Sequence, residues 1–348
     1  MPPVAAGPRP VAMPAIPQPR GLQPVPDTTP RGKRIFITGG AGFIGSHLVE
    51  RLVDHNTLVV YDDLTRDALR FSAARSHPNL TLVEGDVLDA PRLREAMAGA
   101  DICIHSAAIA GIYSVGQSVS RTLNVNLLGT VNTLEAAATN QVGRVIEFST
   151  SEVYGPFVYR GKETDQVSVG PTGERRWTYA LSKLAGEFFS YAYAHDRGLR
   201  VVTLRPFNVY GPRQVGEGAI QQMVHRALRD EDIVVYNDGT QVRSWCFITD
   251  FVDAVMLALG TDIPGHATFN VGNPQATITV YGLAEAIIRH TGSRSRIVHQ
   301  PHPGPEVEMR VPDVGSAAAR LGFTPRVGLE EGLRRTIDWY RERLAEGA

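Results

Sequence analysis

Between Arg34 and Ser149, short runs of apolar and β-branched residues alternate with longer segments whose apolar positions recur at helical spacing. The pattern predicts strands at Ile35–Thr38, Thr57–Tyr61, Leu80–Glu84, Ile102–His105 and Arg144–Ser149. Between them it predicts helices at Gly45–His55, Ala90–Ala98 and Leu127–Thr139. Such alternation argues for an α/β fold, a doubly wound parallel sheet covered by helices on both faces, with ligands at the carboxyl ends of the strands. Beyond Leu204 the pattern changes. Arg205-Pro206-Phe207-Asn208 ends a strand and opens a stretch punctuated by Gly and Pro. A helix is expected at Val280–Thr291, a short strand around Ile297 and an amphipathic helix at Leu329–Leu344. The expected organisation is a large α/β unit over 33–204 and a smaller lobe over 205–345, some of whose segments return to the main sheet. Residues 1–32, dense in proline and poor in core formers, are expected to be a disordered or polyproline-like tail.

The first strand runs directly into Gly39, Gly42 and Gly45, and the chain leaves them through Phe43 and Ile44 as a helix. Glycines at this spacing let the turn close, let the backbone approach a pyrophosphate and let the helix lie near the sheet. The unpaired N–H groups of the new helix then face the anion. Asp62 follows about 20 residues later at the end of the second strand, where a carboxylate accepts from the adenosine ribose hydroxyls and repels a 2′-phosphate, selecting NAD over NADP. Asp86 and Val87 follow the third strand, where an Asp either reaches the adenine or only forms a turn. His105-Ser-Ala107-Ala108 offers small residues to line the cofactor, and the Asn126 amide can hold local backbone in place. His105 lies at a strand end with no carboxylate nearby in sequence and is read as structural.

Composition narrows the function further. The 348 residues carry a formal net charge of −1, so there is no basic field for nucleic acid. No apolar run reaches the ~18 residues a membrane span needs, and no signal-peptide pattern opens the chain, so a cytoplasmic location is expected. The two cysteines, Cys103 and Cys246, each sit in an apolar run, which suits buried thiols and gives neither a disulfide framework nor a metal site.

Two segments carry candidate chemistry: Phe148-Ser-Thr150-Ser151-Glu152-Val-Tyr-Gly155 and Trp177-Thr-Tyr179-Ala-Leu-Ser-Lys183. Tyr179 and Lys183, four residues apart, share one helix face, and an ammonium beside a phenol favours the phenolate. Together with the glycine turn, Asp62 and Arg205-Pro-Phe-Asn-Val-Tyr-Gly-Pro212, these motifs make the chain, over about Lys33 to Leu344, resemble the extended short-chain dehydrogenase/reductase family. Within it the chain is similar to the NAD-dependent nucleotide-sugar epimerases, dehydratases and decarboxylases. The resemblance implies a Rossmann domain, an NAD cofactor, and a base, Tyr179, that takes a proton from a sugar hydroxyl as hydride passes to NAD. It also implies that Lys183 binds the nicotinamide ribose and that Thr150 holds the same sugar oxygen.

Ser151-Glu152 separates the reactions of that family. Simple 4-epimerases carry small residues at these positions, whereas a carboxylate at the second can act at C5 once a 4-keto group has acidified it. With Arg176-Trp177 and Tyr113, the pair looks most like the UDP-glucuronate decarboxylases, in which Ser151, Glu152 and Tyr113 would contact the sugar carboxylate or its neighbours. The alternatives are a UDP- or GDP-sugar 4-epimerase, a C5-acting epimerase or a 4,6-dehydratase, and, in another class, a non-catalytic NAD-binding scaffold. A carboxylate that only opens a solvated loop is the plain reading of Glu152. Asn208, Arg243 and Arg310 match family segments that clamp the nucleotide diphosphate, a task suited to the planar guanidinium fork. The loop Gln214–Ile220 is expected to cover the nucleotide base, Lys162 and Glu163 to be a solvated loop, and the chain to form a homodimer through long helices, as in the family.

Overall fold

The computed structural model describes residues 28–302 and 304–347. The first half of the chain forms β1 (Arg34–Thr38), α1 (Phe43–Leu52), β2 (Thr57–Asp62), β3 (Leu80–Glu84), α2 (Ala90–Ala96) and β4 (Ile102–His105). Then come α3 (Ile112–Gln117), α4 (Val119–Leu123), α5 (Gly129–Thr139), β5 (Arg144–Phe148), β6 (Phe157–Gly161) and α6 (Trp177–Arg197). The second half contributes β7 (Val201–Pro206), β8 (Val209–Tyr210), α7 (Ala219–Ala227), β9 (Ile233–Tyr236), β10 (Val242–Ser244), β11 (Cys246–Phe247) and α8 (Ile248–Gly260). It closes with β12 (His266–Val271), β13 (Thr277–Thr279), α9 (Val280–Thr291), β14 (Ile297–Gln300), β15 (Met309–Pro312), α10 (Gly315–Leu321) and α11 (Leu329–Ala345).

Seven strands make one parallel sheet in the order β12-β7-β5-β4-β1-β2-β3. Both of its faces are covered, which is why β1, β2, β4 and β5 are apolar nearly throughout, with few alternating positions. The strand order reverses between β1 and β4, and there the carboxyl ends leave a crevice. A second, mixed sheet in the order β13-β10-β15-β6 stands beside it. Its register sets Arg243 of β10 opposite Arg310 of β15, and Arg310 opposite Val158 of β6.

Several boundaries differ from the sequence pattern. Helix α1 starts at Phe43, two residues early, because Gly42 is extended and leaves the helical N–H groups free at once. Helix α5 starts at Gly129, and the turn before it, Asn124–Leu128, is a π-turn that swings Asn126 inward. The division at 204/205 falls inside β7, and β6, from the first half, pairs in the second sheet. Residues 1–27 of the expected tail lie outside the described residues. Its last part is packed: the Pro30 carbonyl accepts from Asn56 Nδ2 at 2.8 Å, and Gly32 N donates to His55 O at 2.8 Å. Cys103 and Cys246 are both free and buried. Among the described residues no helix is long and apolar enough to cross a membrane.

Candidate active site

The crevice at the strand reversal is a cleft of about 530 Å³ lined by Gly39, Gly42, Phe43, Ile44, Gly45, Asp62, Asp86, Val87 and Ala107, all named from sequence. Gly39 has φ +68°, a conformation L side chains rarely adopt, and a Cβ there would press on the Ala107 backbone. A Cβ on Gly45 would strike the Gly39 carbonyl and Gly40 Cα, so helix α1 can approach the turn only without one. No side chain caps α1 and no acid sits in its first turn, so its N–H groups remain open to an anion. Across the cleft, Asp62 accepts from Ala41 N at 2.9 Å and from Leu64 N at 2.8 Å, and burial raises its carboxyl above the usual range. A glycine cradle, an uncapped helix start and a fixed carboxylate are a donor and acceptor set that fits NAD.

Asn126 lies behind this wall. Its Oδ1 accepts from Ile109 N at 2.7 Å, and its Nδ2 donates to Ile109 O at 3.0 Å and Ser182 Oγ at 3.2 Å. Its amide thus shapes the Ile109 segment of the cleft. His105 is buried between Thr38 Oγ1 at 2.7 Å and Thr130 Oγ1 at 3.0 Å, and burial followed by the Lys183 charge lowers its pKa to about 3. It is a neutral, satisfied core histidine.

The two segments with candidate chemistry meet at the carboxyl end of β5. Thr150 is extended, and its Oγ1 accepts from Glu152 N at 3.1 Å, which starts the tight turn Ser151–Tyr154 and buries Ser151. Helix α6 sets Tyr179 and Lys183 on the face toward this turn. The nearby Thr150 side chain draws the Tyr179 phenol down, yet burial dominates and pushes it up to about 12, with Glu152 and Glu147 adding to the rise. The sequence expectation was a phenol drawn down by Lys183. Instead the Lys183 ammonium donates to the Phe148 carbonyl at 2.6 Å, and burial lowers its own pKa against the pull of Glu147 and Glu187.

Glu152 does not open a solvated loop. It is paired with Arg310, whose Nη2 also donates to Gly155 O at 2.8 Å, and Arg176 Nη2 lies 3.7 Å from its other oxygen. Burial raises this carboxyl, but Arg310, Arg176 and Arg243 outweigh it and hold it below the usual carboxylate range. Arg243 is itself lowered to about 10 by burial and the neighbouring Arg310 and Arg176, and so stays charged at neutrality. Three guanidiniums around one carboxylate leave an excess positive charge in an enclosed place, which is a seat for a further anion. Arg176 Nη1 donates to Pro305 O at 3.3 Å and Arg243 Nη2 to Val307 O at 2.6 Å, so one loop aims both.

Other residues stand apart from these expectations. Asn208, at φ +37°, spends its Nδ2 on Ser244 O at 3.0 Å. Tyr113 is 70% exposed. Glu163 is half-buried and accepts from Asn270 N at 2.7 Å, which removes it from the solvated class assigned with Lys162. The loop after Gln214 lines the cleft beside Gly39 and Asp62. There Glu217 accepts from Tyr113 N at 2.7 Å, Ser114 N at 3.0 Å and Arg66 Nη2 at 2.9 Å, and Arg66 Nη1 donates to Ala110 O at 3.0 Å. Sequence reasoning missed Arg66, Ser114 and Glu217. The hints were the nearness of Arg66 to Asp62 and the loop Gln214–Ile220 that contains Glu217; the pairing itself was hidden because the partners lie 103 and 151 residues from Glu217.

Residues 35–272 match the NAD dependent epimerase/dehydratase family. The chain is 34% identical over 320 residues to the UDP-N-acetyl-alpha-D-glucosaminuronate decarboxylase of Bacillus cytotoxicus, covering 89% of this chain and 98% of that one. It is 33% identical over 317 residues to UDP-glucuronic acid decarboxylase 1 of Arabidopsis thaliana, covering 89% and 70%. Among solved structures, the UDP-glucuronic acid 4-epimerase of Bacillus cereus, in complex with UDP-glucuronic acid and NAD, superposes with a TM-score of 0.82 at 26% identity, covering 89% of this chain and 99% of that one.

Proposed function

Because the chain belongs to the NAD dependent epimerase/dehydratase family, we propose that it decarboxylates a UDP-hexuronate, with UDP-glucuronate the first candidate. The single observation that carries the reading is Glu152, a carboxylate held ionised by Arg310 and Arg176 in the turn that follows Thr150, where an epimerase needs only a small residue.

In this reading Tyr179 takes the proton of the sugar 4-hydroxyl while Thr150 holds the same oxygen. The glycine turn and Asp62 would hold NAD, which when bound would supply the acceptor and donor of the C4 hydride. The 4-keto uronate is a β-keto acid: its C5–C6 bond breaks, carbon dioxide leaves, and the electron pair enters an enolate across C4 and C5. One proton then adds at C5, so that the reaction consumes one proton in all. Glu152, as the second acid/base, passes on the proton that C5 takes up once carbon dioxide has left. Arg243 and Arg310 balance the diphosphate, and Arg176 steers the uronate. Ser151 and Tyr113 complete the contacts to the sugar, and Asn208, through Ser244, shapes the diphosphate wall.

A 4-epimerase is the second reading. The solved Bacillus cereus enzyme of that activity shares the fold across 89% of this chain, and the neutralisation of Glu152 by Arg310 leaves chemistry confined to C4 open. Incubation with UDP-glucuronate decides between them by mass: a product lighter by carbon dioxide supports decarboxylation, and an unchanged mass with a new ring stereocentre supports epimerisation.

The same reading includes a homodimer and a cytoplasmic setting. Leu128, Leu181, Phe188 and Tyr191 are exposed on and beside α6, a stripe that a second copy can cover. Two free, buried thiols suit a reducing compartment.

A further inference from the structure

Behind the Tyr179–Lys183 pair lies a buried acid that the proposed reaction does not use. Glu147 is fully buried on β5, immediately before Phe148, whose carbonyl accepts from the Lys183 ammonium. Helix α6 comes down onto it at Gly186, where a Cβ would sit 3.2 Å from Glu147 Oε1. A glycine inside a helix costs about 1 kcal/mol relative to alanine, and here it makes room for a carboxylate one turn beyond Lys183.

The groups around Glu147 leave that carboxylate uncommitted. From α6 come Lys183 and Glu187; from β7, Thr203 and Arg205; from β4, His105, in register with Glu147; and from β12, His266. Glu187 is already neutralised by Arg205, through Nε at 2.8 Å and Nη2 at 2.6 Å, and it also accepts from Ser149 Oγ. The Thr203 hydroxyl meets His266 Nε2 at 3.1 Å and makes no hydrogen bond of ordinary geometry to Glu147. Neither Glu147 oxygen has a partner of ordinary geometry among the described residues. His105 is neutral. Lys183, bonded to the Phe148 carbonyl and in the field of Glu147 first and Glu187 second, is therefore the positive charge near Glu147 that, among the described residues, no acid pairs directly.

We propose that Glu147 is a positioning residue for the hydride-transfer site: its carboxylate keeps Lys183 an ammonium and holds it against the Phe148 carbonyl, beside Tyr179. This rests on the reading of Tyr179 and Lys183 as the catalytic pair and not on the choice between decarboxylation and epimerisation. A pH signature follows. Burial, opposed mainly by Lys183, pushes the Glu147 carboxyl to about 7. Below that pH Glu147 is neutral and equivalent to glutamine; above it, its charge raises the pKa of Lys183.

The test compares wild type with Glu147→Gln, with Glu147→Asp as the variant that keeps the charge. The first measurement is the NAD dissociation constant across pH, which needs no sugar. The second is the single-turnover rate at which UDP-glucuronate or a UDP-hexose reduces the bound NAD. Wild type and Glu147→Gln should coincide below pH 7 and diverge as pH rises, the gap reaching about tenfold for each unit by which Lys183 falls once pH exceeds the Lys183 pKa, with Glu147→Asp remaining near wild type. Curves that coincide throughout, or that differ by a constant factor, overturn the proposal, since a purely structural residue would give the latter. A wild type whose NAD no sugar nucleotide reduces overturns the hydride reading, while the NAD titration still decides the role of Glu147.

Discussion

Arg310 and Glu152 are 158 residues apart in sequence and form an ion pair at the turn Ser151–Tyr154, where Arg310 also donates to the Gly155 carbonyl at 2.8 Å. One guanidinium thus fixes both the backbone of the turn and the carboxylate it carries. Arg310 is almost completely buried and the Glu152 side chain only 23% exposed, so removing either partner strands a charge.

Arg310→Met should raise the Glu152 carboxyl toward and above the usual carboxylate range. The paired Glu152 is held below that range, so its stabilisation is complete above the unfolded carboxylate pKa and is lost as pH falls through the folded one. In the variant, protonation begins at a higher pH. The acid limb of the pH–rate profile should therefore move upward, and a profile that stays in place would refute the coupling.

Glu152→Gln should separate the two halves of the proposed reaction. Tyr179 and Thr150 are untouched, so reduction of bound NAD by UDP-glucuronate should persist, while carbon dioxide release falls by about 10²–10⁴-fold. Coupled detection of carbon dioxide alongside nicotinamide absorbance measures both. Full release in this variant would leave Glu152 without a part in C5 chemistry.

Asp62→Asn keeps the side-chain size at the end of β2 and removes the charge that receives Ala41 N and Leu64 N. NAD affinity should fall by about tenfold or more, given the ~1.5–3 kcal/mol of hydrogen bonds to charged groups. NADP affinity should rise, because the repulsion of its 2′-phosphate disappears. Calorimetric titration with both cofactors reads the two effects.

Glu217→Gln should loosen the cofactor cleft. The carboxylate ties the loop after Gln214 to the start of α3 and to Arg66, and the amide cannot match its charge-assisted bonds. Protein passed through a desalting column should retain less NAD than wild type, with thermal stability nearly unchanged. Equal retention would confine the clasp to loop structure.

Arg205→Met should be the most destabilising of these changes, by about 3–5 kcal/mol, because it leaves Glu187 charged and buried. Arg205 and Glu187 side chains are 6% and 8% exposed and joined by two hydrogen bonds. Urea denaturation of Arg205→Met, Glu187→Gln and the double variant should give a double-mutant loss well below the sum of the single losses.

What could be read along the chain was what short-range physics dictates. The glycine turn from Gly39 to Gly45 needs positive φ and close backbone approach, Asp62 ends a strand whose apolar run announces it, and Tyr179 and Lys183 share a helix face by their spacing. These local constraints identify the doubly wound sheet and its cofactor cleft. They leave open which charges meet inside the site, because pairings over 100 residues or more depend on how two sheets and a helix pack, and sequence spacing carries no record of that. The strand register that sets Arg243 opposite Arg310 places Glu152, an acid/base candidate from sequence, among three guanidiniums. The descent of Gly186 onto Glu147 gave Lys183 its free counter-charge. Only the tertiary structure could decide both, since a buried charge acquires its pKa and its partner from neighbours that folding alone brings together.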